Sequence, residues 1–246
     1  MTDPAAADAA KRAAARAAVA MVQNGMRLGL GTGSTAVIMV RELAARAAAE
    51  RLSLRCAATS VATADLATSL GLKVEPLDAI GHLDMTIDGA DEIDPDLTLI
   101  KGGGGALLRE KIVAAASERM VVIADGAKVV EQLGGFPLPV EVLAFGLAST
   151  QQHIDHLLAR MDMADRPVML RQRSGSPYRT DEGNLILDLE LGAIPDPQAL
   201  AAGLSAIPGV VEHGLFLCLA DIALIGQPDG TVTLLEADIT PEEDLA

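Results

Sequence analysis

Four glycines, at positions 102–105, separate Lys101 from a segment that reads as a helix and carries Glu110. Each glycine costs roughly 0.5–1 kcal/mol against alanine in regular structure, so the run requires a compensating role. Glycines let the backbone approach a ligand closely, and Lys101 adds a positive charge beside it. A carboxylate shielded from water has a raised pKa and can act as a general base. The stretch predicts a binding loop followed by an acid–base group. The alternative is a solvated surface helix, because a helix with Glu and Lys side chains usually faces solvent.

A second candidate stretch, GTGST, precedes a predicted helix. Its hydroxyl and backbone N–H groups belong to Thr32, Gly33, Ser34 and Thr35. The N-terminus of a helix favours an anion such as phosphate. The G-x-G-x-x-A spacing is also that of a dinucleotide site, but Thr59 and Ser60 stand where the acidic residue for the ribose is expected. A small phosphate ester is therefore favoured over NAD, with a plain strand-to-helix turn as the alternative.

A third stretch, DGADEID, gathers acidic side chains at the end of a predicted strand. Its residues are Asp88, Gly89, Ala90, Asp91, Glu92, Ile93 and Asp94. Four acids this close suggest a divalent metal, yet their spacing does not match an EF-hand loop. Carboxylates can equally accept hydrogen bonds from sugar hydroxyls, and the tight turn would aim Asp88 and Asp91 together. A solvated turn without a role is the remaining alternative.

The secondary structure around these stretches has to bring them together. Short apolar segments alternate with helical ones, which predicts crossover connections and a mostly parallel, Rossmann-like α/β sheet flanked by helices. KVEPLD and LTLIKGG are among the predicted strands. In such sheets ligands bind beyond the carboxyl ends of the strands, where GTGST, TSVAT, DGADE and KGGGG all fall.

The order of predicted elements changes at about residue 135 and becomes βαββαβ, the ferredoxin-like pattern. We therefore expect an α/β catalytic domain of residues 1–134 plus 213–246, with a smaller ferredoxin-like α+β domain of residues 135–212 inserted into it. Two later strands, DIALIG and TVTLLE, are expected to rejoin the first sheet. The acidic end, EADITPEEDLA, is expected to fray.

Composition excludes several classes of function. The chain of 246 residues has a formal net charge of −15 and 2% aromatic residues. Nucleic-acid binders rely on fields of Lys and Arg and on aromatic platforms, so we expect no nucleic-acid partner. No apolar stretch approaches about 18 residues without a charge or glycine, so we expect no membrane partner and a cytoplasmic protein. Cys56 and Cys218 lack metal-type spacing and are predicted to be buried thiols.

Six motifs follow one another along nearly the whole chain: GLGTGSTA, TSVAT, DGADEID, KGGGGALLREKIVA, IADGAK and FPLPVEV, with IPGVVEHGLF near the end. Together they resemble the ribose-5-phosphate isomerases of type A. The resemblance implies interconversion of D-ribose 5-phosphate and D-ribulose 5-phosphate in the pentose phosphate pathway. It also implies that no metal or organic cofactor takes part and that the enzyme is a homo-oligomer, with a dimer favoured.

The resemblance further implies roles for individual residues. Glu110 matches the general base, and Asp88, Asp91 and Lys101 are also assigned to catalysis. The substrate-binding positions carried over are Thr32, Gly33, Ser34, Thr35, Asp88, Gly89, Ala90, Asp91, Lys101, Gly102, Gly103, Gly104 and Lys128. The pocket is expected to be locally positive. Leu108 and Ala127 depart from the family pattern, which would either weaken substrate affinity or alter the contacts that support the site residues.

Other functions stay open at this point. An amino-sugar-phosphate deaminase would release ammonia, and a CoA transferase would exchange acyl-CoA through a glutamyl thioester. A sugar-phosphate-sensing binding protein would bind without turnover. An isomerase that uses a metal-dependent hydride shift, with the DGADE acids as ligands, would lose activity in chelator.

Overall fold

The computed structural model describes residues 4–236. Its helices are α1 (Pro4–Ala20), α2 (Ser34–Glu50), α3 (Val61–Ser69), α4 (Leu77–Ile80), α5 (Leu107–Ala115), α6 (Leu147–Arg160) and α7 (Pro197–Ser205). Its strands are β1 (Arg27–Leu30), β2 (Arg55–Ala58), β3 (Met85–Gly89), β4 (Glu92–Ile93), β5 (Leu99–Ile100), β6 (Met120–Asp125), β7 (Leu138–Val142), β8 (Val168–Leu170), β9 (Gln172–Arg173), β10 (Ser176–Pro177), β11 (Leu185–Leu189), β12 (Val210–His213), β13 (Leu215–Phe216), β14 (Ile222–Gly226) and β15 (Val232–Glu236). Residues 237–246 lie outside the described residues, and with them the predicted fraying of the acidic end.

The main sheet has the strand order β15-β14-β6-β3-β1-β2. All its neighbours are parallel except β14 and β15. Side chains of β6 alternate between the two faces: Val121 and Ile123 pack with α1 and α2, whereas Val122 and Ala124 pack with α5. Helices therefore cover both faces, which confirms the predicted α/β class, and DIALIG and TVTLLE do rejoin this sheet as β14 and β15.

Two predicted strands of the first region turn out differently. LTLIKGG provides only β5, which joins β4 and β13 in a separate antiparallel sheet. In KVEPLD only Val74 forms a bridge, with Cys56, and α4 begins directly after Pro76. Proline has no N–H group to continue a ladder, so the strand cannot extend through it.

A second sheet, with the order β12-β7-β11-β8, is antiparallel throughout. Numbered within this sheet, its strands run 4-1-3-2, the ferredoxin-like arrangement that the βαββαβ pattern predicts. Its core contains residues of α6 and α7 but also Ile100 and Leu215 from the neighbouring sheet. The domain boundaries at residues 135 and 212 stay a prediction.

The two cysteines differ in exposure. Cys56 is buried in β2, as expected, but Cys218 is exposed, so the prediction of a buried thiol is wrong there. Cys218 has a φ of 52° in the loop that follows β13. A left-handed residue ends an extended segment, and its side chain leaves the apolar face that the sequence pattern suggests. No helix within residues 4–236 is both long and apolar enough to cross a membrane.

Candidate active site

Three of the four predicted loops, GTGST, DGADE and KGGGG, meet in one small cavity at the carboxyl edge of the main sheet, whereas no residue of TSVAT lines it. The cavity has a volume of about 90 Å³ and is lined by Thr32, Gly33, Ser34, Thr35, Gly89, Ala90, Asp91, Lys101, Gly102, Gly104, Glu110 and Lys128. Of the residues carried over from the family, Asp88 and Gly103 do not line it. GTGST and DGADE follow β1 and β3, neighbouring parallel strands that end at the same edge of the main sheet. KGGGG follows β5 of the separate antiparallel sheet, and the pairing of β5 with β4 brings it next to DGADE.

Glu110 reaches the cavity because of where α5 begins. The helix starts at Leu107, directly after the glycines, so Glu110 lies in its first turn. Side chains of a helix tilt towards its N-terminus, which turns the Glu110 carboxyl group towards Lys101. Glu110 Oε2 lies 3.5 Å from Lys101 Nζ. The Glu110 side chain is 5% exposed.

Lys101 is buried among oxygen atoms. Its Nζ lies 3.0 Å from Asp88 Oδ2 and donates a hydrogen bond to the Gly89 carbonyl at 2.5 Å. The ring of Phe216 lies beneath it, with its centroid 5.4 Å from Nζ. Asp88 in turn accepts hydrogen bonds at Oδ1 from the N–H groups of Thr32 and Gly89. Asp88 therefore holds the Lys101 ammonium group through this ion pair, and the same ammonium group lies next to Glu110.

Burial controls the proton affinity of this cluster. Burial raises the pKa of Glu110 to about 8; nearby Asp88 and Asp91 add to the rise and Lys101 opposes it. For Lys101, burial lowers the pKa, but attraction to Asp88 and Glu110 outweighs this and the net pKa is raised. The lysine therefore stays charged, while Glu110 can take up and release a proton near neutral pH.

The backbone conformation of the glycine loop, residues 102–105, requires glycine. Gly102 has a φ of 101° and Gly105 a φ of 85°, a region that favours glycine. A Cβ atom on Gly103 would lie 2.7 Å from Asp91 Oδ1. The Gly103 N–H group instead donates to Asp91 Oδ2 at 2.7 Å. The loop therefore packs directly against the carboxylate that lines the cavity.

The other end of the cavity is suited to an anion. Gly33, with a φ of 106°, precedes α2, so the helix begins at Ser34 as predicted. Lys11 Nζ donates to Ser34 Oγ at 3.2 Å, and Lys128 Nζ lies 5.8 Å from the centroid of Phe136. Sequence reasoning missed Lys11, because one lysine in an alanine-rich helix has no spacing that links it to a residue 23 positions later.

The Thr32 hydroxyl group is already engaged elsewhere. Its Oγ1 lies within hydrogen-bonding distance of the hydroxyl oxygens of Thr59, Ser60 and Thr63, at 2.7, 2.8 and 3.2 Å respectively. Thr63 also donates to the Gly31 carbonyl. This cluster ties the GTGST loop to the start of α3, where Ser60 accepts from the Thr63 N–H group as the N-cap. Ser34 and Thr35 are left as the hydroxyl groups for an anion.

The acids of DGADEID divide into two pairs. Asp88 and Asp91 face the site, but Glu92 accepts from the N–H groups of Gly134 and Phe136. Asp94 caps its own turn by accepting from the N–H groups at positions 96 and 98. Across residues 4–236, no three His, Cys, Asp or Glu side chains are grouped as a metal ion requires.

Lys101 and Lys128 line the cavity together with Asp91 and Glu110, and the pKa of Glu110 is raised to about 8. The locally positive pocket therefore stays a prediction. Lys11 contacts Ser34 at the N-terminus of α2, and Lys128 lines the cavity together with Ser34 and Thr35. Neither Leu108 nor Ala127, the two departures from the family pattern, lines the cavity.

Comparison with known proteins agrees with this geometry. The model of the family ribose 5-phosphate isomerase A (phosphoriboisomerase A) matches residues 55–230. The chain belongs to this family. It is 54% identical to ribose-5-phosphate isomerase A of Dinoroseobacter shibae over 92% of this chain and 87% of that protein. The resemblance that the motifs indicate is thus confirmed.

Solved structures of ribose 5-phosphate isomerases share the fold. The enzyme of Methanocaldococcus jannaschii superposes with a TM-score of 0.83 at 38% identity, covering 93% of this chain and 98% of that one. A D-ribose-5-phosphate isomerase in complex with phospho-erythronic acid gives a TM-score of 0.85 at 32% identity, covering 94% and 99%. The α/β architecture is therefore that of the family over nearly the whole described chain.

Proposed function

We propose that the protein interconverts D-ribose 5-phosphate and D-ribulose 5-phosphate through a cis-enediolate, with Glu110 as the general base. Membership of the ribose 5-phosphate isomerase A family supports the reaction. The observation that carries the mechanism is the buried Glu110 carboxyl group, whose pKa is raised to about 8 and which faces Lys101 at 3.5 Å in the cavity. A sugar phosphate bound in the cavity would have its reacting carbons between Glu110, an acid–base group, and the fixed positive charge of Lys101.

The residues would act in sequence on the open-chain sugar. Glu110 takes the C2 proton, negative charge develops on the aldehyde oxygen, and Lys101 with N–H groups of the glycine loop stabilises it. Glu110 then returns the proton to C1, while the proton of the C2 hydroxyl passes to the C1 oxygen. Asp91 lines the cavity and is placed to assist ring opening, whereas Asp88 does not line it and orients Lys101.

The phosphate group would bind at the N-terminus of α2, with Ser34, Thr35, Lys128 and Lys11. We expect Lys11→Met and Lys128→Met each to raise KM about 10-fold with kcat nearly unchanged, because a charge-assisted hydrogen bond to phosphate is lost. Steady-state kinetics on ribose 5-phosphate measures this. Arg12→Met is the matched control, since Arg12 pairs with Glu42 on the surface. An unchanged KM for both lysine variants would contradict the phosphate site.

The pH dependence of kcat/KM follows from the direction in which the pKa of Glu110 is shifted. Burial raises the pKa of Glu110 from 4.5 to about 8, and only the ionised carboxylate can accept the C2 proton. We therefore expect kcat/KM to rise with pH below about 8 and to level off above it, as measured from initial rates at low substrate concentration. A profile already flat from about pH 6 upwards would show that the carboxylate is ionised much earlier and would contradict this account of the site.

Proton NMR of the protein with D-ribose 5-phosphate in heavy water, with chelator present, tests the reaction and its route. Ketose that carries deuterium at C1 is the expected result. Turnover without deuterium would favour a hydride shift and contradict the proposed route. No turnover, or release of ammonia from an amino-sugar phosphate, would favour a binding protein or a deaminase. The homodimer, which rests on the family resemblance, and the cytoplasmic location, which rests on composition, stay predictions.

A further inference from the structure

We propose that Arg171 is a positioning residue for the reaction: it holds the glycine loop so that the N–H group of Gly104 faces the substrate. This inference rests on the proposed function. Arg171 lies between β8, the edge strand of the second sheet, and β9, and it does not line the cavity. The residue would therefore act through the loop, and not on the sugar itself.

The side-chain hydrogen bonds from Arg171 and Tyr178 to the glycine loop all go to carbonyl groups. Arg171 Nη1 donates to the Gly102 carbonyl at 2.7 Å and to the Gly103 carbonyl at 3.3 Å. The Tyr178 hydroxyl donates to the Gly104 carbonyl at 3.3 Å. Three successive carbonyl oxygens are thus drawn towards the second sheet by two side chains.

Because the peptide unit is planar and trans, hydrogen bonds that orient the carbonyl groups of the loop also orient its N–H groups. In each peptide unit the C=O and N–H bonds point in opposite directions. The N–H of Gly103 belongs to the unit whose carbonyl is that of Gly102, and it donates to Asp91 in the cavity wall. The N–H of Gly104 belongs to the unit whose carbonyl is that of Gly103. Within residues 4–236 that N–H has no hydrogen-bond partner, and Gly104 lines the cavity.

Arg171 is itself held rigidly. Its Nε donates to Asp188 Oδ2 at 2.8 Å, and its Nη2 forms a second bond to Asp188 Oδ1. Asp188 lies in β11, which pairs with β8. The planar guanidinium group thus uses one edge for the carboxylate and the remaining Nη1 for the loop. A lysine has one point of attachment and cannot reproduce this geometry.

The loop needs an external support because glycine has the greatest backbone freedom of any residue. Its one internal bond runs from the Gly105 N–H to the Gly102 carbonyl, at 2.9 Å. Without Arg171 the peptide unit between Gly103 and Gly104 can rotate, and its N–H can turn away from the developing negative charge. Loss of this hydrogen bond would destabilise the transition state more than it would weaken binding of the sugar.

Kinetics of Arg171→Ala and Arg171→Lys test this inference. Loss of one N–H donor to an oxyanion costs about 10²–10³-fold in kcat, so disordering such a donor should cost about 10–100-fold, with KM changed less than about 3-fold. Added guanidinium ion should restore part of the kcat of Arg171→Ala. Arg179→Ala is the matched control: Arg179 also donates to a glycine carbonyl, that of Gly183, but within its own hairpin.

Binding of phospho-erythronic acid supplies a second readout. The planar carboxylate of this four-carbon acid resembles the enediolate, so its affinity should fall in proportion to kcat/KM in Arg171→Ala and remain unchanged in Arg179→Ala. A folded Arg171→Ala with kcat within about 2-fold of the parent would overturn the proposal. So would a loss of kcat that is accompanied by an equal loss of substrate affinity and is not restored by guanidinium ion.

Two further variants keep the test decisive. If circular dichroism shows that Arg171→Ala does not fold, Arg171→Lys and Asp188→Asn carry the comparison, because both retain a cation at the site. Each should lower kcat at nearly constant KM, and an unchanged kcat in both would overturn the proposal. Glu110→Gln separates this inference from the proposed function: full activity in that variant contradicts the mechanism itself, whereas a normal Arg171→Ala beside an inactive Glu110→Gln contradicts only the role of Arg171.

Discussion

Replacement of Glu110 by glutamine should lower kcat by about 10²–10⁴-fold while KM changes only a few-fold, because general acid–base action is lost and the shape of the side chain is kept. The amide cannot accept the C2 proton. The side chain is buried beside Lys101 and not at the anion-binding end, so binding of the phosphate should persist. Stopped assays of ketose formation measure kcat, and isothermal titration with the sugar phosphate measures binding.

The matched control is Glu118→Gln, since Glu118 follows the same helix but is exposed. That variant should keep the parent's kcat. Deuterium incorporation at C1 should be lost from Glu110→Gln in step with turnover. If Glu110→Gln retained kcat within about 10-fold of the parent, another group would have to move the proton and the assignment of the base would be wrong.

Replacement of Lys101 by methionine should affect both activity and stability. Lys101 lies within 3.5 Å of the buried carboxyl groups of Asp88 and Glu110. Removal of one partner from a buried ion pair costs about 3–5 kcal/mol, because the charge that remains has no counterion. We expect this loss in the free energy of unfolding measured in urea. If Lys101 stabilises the enediolate as we propose, loss of its charge should also lower kcat by about 10²–10³-fold.

The stability loss has a pH dependence with a defined sign. Burial raises the pKa of both Asp88 and Glu110. Protonation neutralises these carboxyl groups, so the loss in Lys101→Met should shrink as pH falls and grow as pH rises. Lys128→Met is the control, because Lys128 lines the cavity but is only partly buried and has no carboxylate partner within residues 4–236. Equal stability losses in the two variants would contradict the buried-cluster account.

The sequence by itself indicated three loops of the site. GTGST and DGAD follow strands of a parallel sheet, which end at one edge, whereas KGGGG reaches the site through the antiparallel pairing of β5 with β4, which the sequence did not predict. Glu110 could be placed because the helix that follows the glycines has a fixed rise and direction. These are local properties, set by hydrophobic periodicity and by glycine, so they can be predicted from short stretches of the chain.

Only the tertiary structure decided which contacts each side chain of the site makes. It engages the Thr32 hydroxyl in a cluster with α3, turns Glu92 towards Gly134, and brings Lys11 and Arg171 to the two sides of the cavity. Each of these contacts joins residues at least 23 positions apart in the chain. Distances of that kind depend on how helices and sheets pack, and no local pattern encodes them.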